Sequence, residues 1–269
     1  MFLDPLTLVL LALGGFVGGL LGGLTGLGGG VVFAPVLLYL LPRLGVQDAA
    51  LVPLVTGTSL FCTLLSVTSS AWAQHRRRAV DVRVALAVGA VATASLYATK
   101  ALVTTQPWYT PRVFEVFFAI VLVLAATRML LAGQEPTGAP LRTPARLGAI
   151  GAATGVLSAA GGVGGGVVLV PGYNRLVRLP LVTASGTSNA TIVLSSAVGV
   201  LLFALTPARG AVPPFTVGSV SGAVGLALAL PAMAGAQWGV ALAHRLPVKT
   251  LRRVFAGVVL ALAAKMALG

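Results

Sequence analysis

Long apolar runs separated by short polar connectors are the dominant pattern along this chain. A helix needs ~20 mainly apolar residues to cross a ~30 Å hydrocarbon core, and stretches of this kind recur from one end of the sequence to the other. Proline, glycine and arginine clusters divide them into eight segments, at 6–41, 47–74, 80–104, 112–132, 145–174, 179–206, 212–243 and 248–268. The pattern therefore predicts an all-α polytopic membrane protein.

The most polar connector divides the chain into two halves of four segments each. It covers residues 133–146 and contains three prolines and two glycines, which is typical of a linker. We therefore expect an N-terminal membrane repeat at 1–132 and a C-terminal membrane repeat at 147–269.

The two halves repeat one another in sequence. Three motifs occur in the same order and at corresponding places in both halves, which favours gene duplication. The matched pairs are Gly26–Pro35 with Gly162–Pro171, Thr56–Ser59 with Ser185–Ser188, and Arg112–Phe114 with Arg253–Phe255.

The distribution of basic residues bears on how the segments cross the membrane. If each segment crosses once, the repeat is parallel and the basic residues divide nine against nine, contrary to the expected cytoplasmic excess. The first two segments of each half carry glycine-containing breaks and are long for one crossing. If these fold back, Arg43, Arg175 and Arg178 change sides and the division becomes twelve against six. The charge pattern therefore favours broken, re-entrant helices, with both termini and Arg76–Arg78 in the cytoplasm.

Composition supports lipid, and not nucleic acid, as the main surroundings of the chain. Hydrophobic residues make up 57% and charged residues 9% of the 269 positions, with a mean hydropathy of +1.00, whereas soluble domains carry about 25% charged residues. The net charge is +13. Because the basic residues are scattered over short loops, orientation in a bilayer explains them better than nucleic-acid binding does.

Two glycine clusters are candidates for a substrate site. Non-helical backbone at membrane depth is tolerated only inside protein or against a polar cavity, and each cluster precedes an apolar run whose free N–H groups would attract an anion. Close helix packing is the alternative role, but it needs small residues at four-residue spacing, whereas these are adjacent. The predicted substrate-binding glycines are Gly28, Gly29, Gly30, Gly164, Gly165 and Gly166.

Hydroxyl and amide side chains at mid-segment are further candidates for the same site. They are neutral donors that can hold an anion without trapping it by full charge, although membrane hydroxyls also bond to their own helical turn. Thr25 and Ser158, before the two glycine clusters, are weaker candidates of this kind. The main candidates are Thr56, Gly57, Thr58, Ser59, Ser185, Gly186, Thr187, Ser188 and Asn189.

Ionisable side chains are few, and we predict no catalytic residue, metal site or cofactor. The acidic residues lie near segment ends or in connectors, which gives no support for a carboxylate relay at the midplane. His75 and His244 adjoin arginines at segment ends, where neither can act as the base for a membrane-embedded serine. Cys62 is the only cysteine, so a thiolate metal cluster is not expected.

These motifs resemble those of the sulfite exporter TauE/SafE family of membrane permeases. The resemblance rests on the two glycine-rich repeats, the two Thr/Ser-Gly-Thr-Ser segments and the stretch Gly235–Gly239, and it covers essentially the full chain. It implies a transporter of sulfite or organosulfonates in the cytoplasmic membrane of a prokaryote. From the helix breaks, we expect the small anion to bind between the two repeats. A passive anion channel, an intramembrane enzyme and assembly as a homo-oligomer stay open.

Overall fold

The computed structural model describes residues 4–130 except 105 and 107, residues 138–250 except 209 and 248, and residues 253, 256, 257 and 260. Parts of the predicted linker and most of the segment 248–268 lie outside these residues. The α-helices of the described part are Pro5–Thr25 (α1), Gly30–Leu40 (α2), Asp48–Arg76 (α3), Val82–Thr99 (α4), Pro111–Leu130 (α5), Pro144–Gly161 (α6), Gly166–Pro171 (α7), Leu181–Ala204 (α8) and Gly222–Ala243 (α9).

Short elements extend or connect these helices. A 3₁₀ turn, Pro42–Leu44, follows α2, and wider π-helical turns continue α4 through Lys100–Thr104 and α7 through Gly172–Leu176. Two strands, Thr216–Val217 (β1) and Val220–Ser221 (β2), pair antiparallel just before α9.

The sides of the bundle are apolar, as expected in lipid, and buried hydroxyl side chains lie among the apolar side chains of its interior. Five helices of the described part are long and apolar enough to cross a membrane, namely α1, α3, α4 with its extension, α8 and α9. Large side chains on their outer faces, such as Leu13, Leu86 and Leu230, are more than half exposed, while hydroxyl side chains of α3 and α8 are buried. The predicted class, a helical polytopic membrane protein, is confirmed.

The first glycine cluster interrupts the chain between α1 and α2, and α2 then folds back along α1. A Cβ added at Gly22 would lie 2.5 Å from the backbone nitrogen of Gly29, and one at Gly14 would lie 3.2 Å from Val36. Residues later in α2 thus contact residues earlier in α1, so the two helices form an antiparallel hairpin.

The second glycine cluster produces the same hairpin between α6 and α7. A Cβ at Gly165 would lie 3.1 Å from the Ser158 hydroxyl, and one at Gly172, just after α7, would lie 3.0 Å from Ile150. The first segment of each half is therefore broken and folds back, as the sequence predicts.

The second segment of each half is continuous, and the prediction that it is broken is wrong. α3 runs unbroken for 29 residues and α8 for 24. An isolated glycine costs a helix only about 1 kcal/mol, and here it permits close packing. A Cβ at Gly57 would clash with the Ser219 carbonyl oxygen, and one at Gly186 with that of Ala79.

Because α3 is continuous, the N-terminus of the described chain and the cluster Arg76–Arg78 lie at opposite ends of the bundle. α1 packs parallel to α9, with Gly15 against Leu228 and Gly23 against Ala236. The far end of α9 adjoins the arginine cluster, since the Arg77 guanidinium donates to the Val240 carbonyl at 3.1 Å. The prediction that the N-terminus and this cluster share one side is therefore wrong.

Basic side chains are concentrated at the end of the bundle where α3 and α9 finish, which we call the basic end. Among the described side chains up to Pro247, the other end has Arg43, Lys100 and Arg112. The basic end has nine: Arg76, Arg77, Arg78, Arg83, Arg142, Arg146, Arg175, Arg178 and Arg245. Contacts such as the Arg142–Asp81 ion pair at 2.7 Å join the connectors at this end.

Candidate functional site

Each glycine cluster turns the chain through left-handed backbone conformations that favour glycine. The same three positions of each cluster have positive φ, and a residue with a side chain would be penalised there by roughly 1–2 kcal/mol. These angles are 81°, 83° and 78° at Gly26, Gly28 and Gly29, and 65°, 72° and 80° at Gly162, Gly164 and Gly165.

The two breaks touch each other near the middle of the bundle. A Cβ at Gly30 would lie 2.7 Å from the Cα of Val163, and one at Gly166 would clash with Leu27. Both breaks also reach the same two side chains, Thr63 near the middle of α3 and Ile192 near the middle of α8. Since α3 and α8 both span the bundle, the irregular backbone lies deep inside the protein.

Reciprocal hydrogen bonds hold each break against the long helix of the other half. The Ser59 hydroxyl on α3 donates to the Gly162 carbonyl at 2.8 Å, and the Ser188 hydroxyl on α8 donates to the Gly26 carbonyl at 2.7 Å. Gly162 packs over Thr56, whereas Gly26 packs over Ser185 at the matching position. The two Thr/Ser-Gly-Thr-Ser segments therefore fix the carbonyls of the breaks.

Other predicted site hydroxyls are also engaged within the protein. Thr58 accepts a bond from the Ser221 N–H at 2.9 Å, and Thr187 accepts one from the Asp81 N–H at 3.0 Å. These bonds tie the starts of α9 and α4 to α3 and α8. Thr25 donates to Leu21 in its own helix.

A second set of polar groups is buried without a hydrogen-bond partner. Asn189 is fully buried, and neither its Nδ2 nor its Oδ1 has a partner among the described residues. An unsatisfied buried polar group costs about 1–3 kcal/mol, so several together call for an explanation such as a ligand or water. The hydroxyls in the same condition include those of Thr63, Ser66, Ser158 and Ser196.

Three of these hydroxyls border the glycine breaks directly. Thr63 Oγ1 lies 2.9 Å from a Cβ placed at Gly30, and Ser196 Oγ lies 3.6 Å from one at Gly164. Ser158 Oγ borders Gly165. The N–H groups of the first residues after each break, at positions 30, 31, 166 and 167, have no backbone acceptor within the described chain. Backbone and side-chain donors thus meet in one buried region.

The sequence identified part of this region and missed the rest. Asn189 and Ser158 were predicted, whereas Thr63, Ser66 and Ser196 were not. The signal for α3 was present, because Ser59, Thr63, Ser66, Ser70 and Gln74 recur every three or four residues and so form one face of a helix.

The region offers neutral hydrogen-bond donors, and charged groups lie elsewhere. Asp48 and Asp81 are at helix starts, and Glu115 pairs with Arg112 at 3.3 Å. In the described part of the chain, no group of three or more His, Cys, Asp or Glu side chains gathers to hold a metal ion. Chemically, the arrangement suits a small anion with several acceptor oxygens.

Comparison with known proteins agrees with a transport role. A probable membrane transporter protein of Methanocaldococcus jannaschii is 26% identical over 254 residues, covering 92% of this chain and 90% of its own. Similar proteins include a probable membrane transporter protein of Haemophilus influenzae, 26% identical over 93% of this chain and 94% of its own. The probable membrane transporter protein YunE of Bacillus subtilis is 26% identical over 91% and 92%.

The family model of the sulfite exporter TauE/SafE proteins matches residues 11–266, which is nearly the whole chain. The resemblance carried by the glycine clusters and the Thr/Ser-Gly-Thr-Ser segments is thereby confirmed. The chain belongs to the sulfite exporter TauE/SafE family of membrane transporters.

Proposed function

We propose that the protein is a carrier of small oxyanions of sulfur, sulfite or organosulfonates, and binds them between the two glycine breaks. The observation that carries the proposal is the buried Asn189 amide, which has no partner in the described part of the chain, together with similarly unpartnered hydroxyls beside both breaks. An anion with three oxygens would give these donors the acceptors that they lack.

The neutrality of the site suits transport. Hydroxyl, amide and backbone donors bind an anion through hydrogen bonds of about 1.5–3 kcal/mol each, while a full positive charge would slow its release. Asn189 provides an acceptor as well as donors, so the protonated form, hydrogen sulfite, would satisfy both ends of the amide. Organosulfonates share the three-oxygen head group.

We also propose that residues 1–132 and 147–269 are duplicated halves with inverted orientation. The matched sequence motifs, the equal left-handed angles and the reciprocal bonds of Ser59 and Ser188 support this. α3 ends at the basic end, where the Gln74 amide donates to Ser185 near the start of α8. The two equivalent helices therefore run in opposite directions, which replaces the parallel arrangement that four crossings per half would produce.

We propose that the protein lies in the inner membrane of a prokaryotic cell. Its basic end then faces the cytoplasm, and the start of α1 faces the opposite side of the membrane. The positive-inside rule supports this placement, because the described arginines are concentrated at that end. Labelling with a membrane-impermeant maleimide tests it, in a Cys62→Ala background. We expect Gly45→Cys to react in intact spheroplasts and Arg78→Cys to react only after lysis. The reverse pattern would overturn the orientation.

Uptake of radiolabelled sulfite into liposomes tests the function. We expect saturable uptake that organosulfonates inhibit, and we expect Asn189→Leu to lose most of it. Thr68→Val is the matched control, because its hydroxyl bonds to its own helix at Leu64 and is exposed. Uptake that never saturates would identify a channel, and equal uptake by both variants would exclude Asn189 from the site.

We propose no catalytic activity for the chain. His75 and His244 are exposed at the basic end, away from the buried serines beside the breaks. Replacement of both histidines by glutamine should leave sulfite uptake intact, whereas loss of uptake would reopen a histidine-dependent reaction.

A further inference from the structure

A pocket of about 770 Å³ lies at the basic end, between the last turns of α3 and α9 and the side of α1. It is separate from the buried region at the glycine breaks, and no member of the polar face of α3 lines it. The side chains that characterise it are Trp72, Arg76, Arg77, Gln237, Trp238 and Arg245.

The three arginines of this pocket have guanidinium donors to spare. The ion pairs within the described chain join Arg112 to Glu115 and Arg142 to Asp81, and so involve none of the three. Arg76 stacks over the Trp72 ring at 4.7 Å, and Arg77 uses one nitrogen on the Val240 carbonyl. Guanidinium groups bind phosphate through paired, charge-assisted hydrogen bonds, so the pocket is built for an anion.

The outer wall of the pocket is apolar and faces the surroundings of the bundle. Trp72 is 55% exposed and Trp238 is 68% exposed, and Leu20 and Leu242 complete this wall. Tryptophan is enriched at the depth of lipid head groups. Trp72 and Arg76 lie one turn apart, on the opposite face of α3 from the buried Ser70 and Gln74. The pocket therefore opens toward lipid and not toward the centre of the bundle.

We propose that this pocket binds the phosphate head group of an anionic phospholipid, whose acyl chains lie along the exposed tryptophans. Basic pockets between membrane helices bind anionic head groups by this combination of charge and apolar contact. The site holds the ends of α3, α9 and α1 together, and so links the long helix α3 of one half to α9 of the other.

Tryptophan quenching by brominated lipids tests the site in vesicles of phosphatidylcholine. The chain has three tryptophans, and Trp108 is outside the pocket, so Trp108→Phe leaves the two that report on it. We expect brominated phosphatidylglycerol, at a small fraction of total lipid, to quench them several times more strongly than the same fraction of brominated phosphatidylcholine.

Matched charge changes separate a built site from general surface attraction. In the same background, Arg76→Gln with Arg245→Gln should lower the apparent affinity for phosphatidylglycerol about tenfold or more. The control, Arg83→Gln with Arg178→Gln, removes the same charge from exposed positions of the same end and should retain the preference. Arg77 stays unchanged because it bonds to α9.

Three results would overturn the proposal. Equal losses in the two double variants would mean general electrostatic attraction, and equal quenching by both brominated lipids would mean no head-group preference. Reversal of the quenching by millimolar inorganic phosphate would identify a soluble anion as the occupant. Unchanged melting temperatures of both double variants in detergent would show that the comparison is made on folded protein.

Discussion

The two long central helices, α3 and α8, begin alike and then diverge. Each carries, in its first half, the Thr/Ser-Gly-Thr-Ser segment that holds the break of the other half, through Ser59 on α3 and Ser188 on α8. The spacing that aligns Thr56 with Ser185 also aligns the positions that follow. Where α3 has Leu60, Thr63, Val67, Ser70 and Gln74, α8 has Asn189, Ile192, Ser196, Gly199 and Phe203.

This difference distinguishes the residues that hold the two breaks in place, which we call the frame of the site, from the polar groups inside it. The shared residues form the same hydrogen bonds in both halves, so they build the frame. At four of these five matched positions, only one of the two helices has a polar group without a partner among the described residues. Asn189 of α8 matches Leu60 of α3, and Thr63 of α3 matches Ile192 of α8. The groups that we propose to face the ligand are therefore asymmetric, although the hydrogen bonds that hold the breaks are the same in both halves.

The same difference gives the two ends of the bundle different character. From the breaks toward the basic end, α3 presents Ser66, Ser70 and Gln74, all buried. Toward the other end, α8 finishes with Phe203, which packs against Leu60. Buried polar side chains therefore continue from the breaks toward the basic end, whereas apolar packing lies on the other side.

We expect the largest effect on uptake when a side chain is added at Gly164, within the second glycine break. A Cβ there would lie 2.7 Å from Ile192 and 3.0 Å from Thr63, so Gly164→Ala should abolish uptake in liposomes. Gly45→Ala is the matched control, because Gly45 has φ of 85° and open space around its Cβ position. Both variants have the same backbone strain of roughly 1–2 kcal/mol. Equal loss of uptake in both would mean that strain, and not the site, is responsible.

Bulky substitution at Gly29 or Gly165 tests the anion site less specifically, although the sequence predicts both glycines to be part of that site. A Cβ at Gly29 would press on Phe33, and one at Gly165 on Thr154, both in the same hairpin as the glycine. We expect such variants to insert and then lose their fold along with transport. Altered tryptophan emission of the purified variants would reveal this loss of fold. Native emission spectra together with no uptake would instead support a direct role of these glycines in the site.

Exchange of the asymmetric pair Asn189 and Leu60 should have the next largest effect. Asn189→Leu should weaken sulfite affinity about ten- to hundredfold, because it removes hydrogen bonds to a charged ligand. Leu60→Asn should instead destabilise the fold by about 3 kcal/mol or more, since Leu60 packs in a buried cluster with Phe203 and Val220. Binding isotherms and thermal unfolding in detergent measure the two effects. Similar changes of affinity and stability in both variants would contradict the different roles that we assign to Asn189 and Leu60.

Removal of single hydroxyls should produce smaller and opposite effects at two buried threonines. Thr63→Val should lower sulfite affinity about tenfold and leave stability unchanged or raised, because an unpartnered hydroxyl is replaced by a group of the same shape. Thr191 is bonded to the Tyr173 hydroxyl at 2.7 Å. Thr191→Val should therefore cost about 1 kcal/mol of stability with affinity retained. Loss of stability in both variants would mean that the Thr63 hydroxyl stabilises the fold and does not face the ligand.

The smallest expected effect is the pH dependence of stability through His244, just after α9. Partial desolvation of its mostly exposed imidazole, and then the Arg77 charge, hold the pKa of His244 below its ordinary value of 6.5. The unfolded chain therefore binds more protons below pH 6.5, and the free energy of unfolding falls as the pH falls through this range. His244→Gln should flatten this slope in thermal unfolding between pH 7 and 5.5. An unchanged slope would assign it to other groups.

The sequence predicted the frame of the site better than its contents, for physical reasons. Adjacent glycines have few other roles at membrane depth, so the breaks at Gly28 and Gly164 were predictable. An isolated glycine such as Gly57 is compatible with a continuous helix, and only the carbonyl packed against it explains why it is there. Which hydroxyls are free depends on tertiary partners. Ser59 and Thr63 lie one turn apart on α3, yet of the two only Ser59 finds an acceptor among the described residues.

Equilibrium binding of radiolabelled sulfite to the purified protein tests the central claim most directly, because binding is independent of orientation and coupling. The site between the breaks predicts one sulfite per chain, competed by organosulfonates, lost in Gly164→Ala and retained in Gly45→Ala. Saturable binding that survives unchanged in folded Gly164→Ala would place the anion elsewhere and contradict the account.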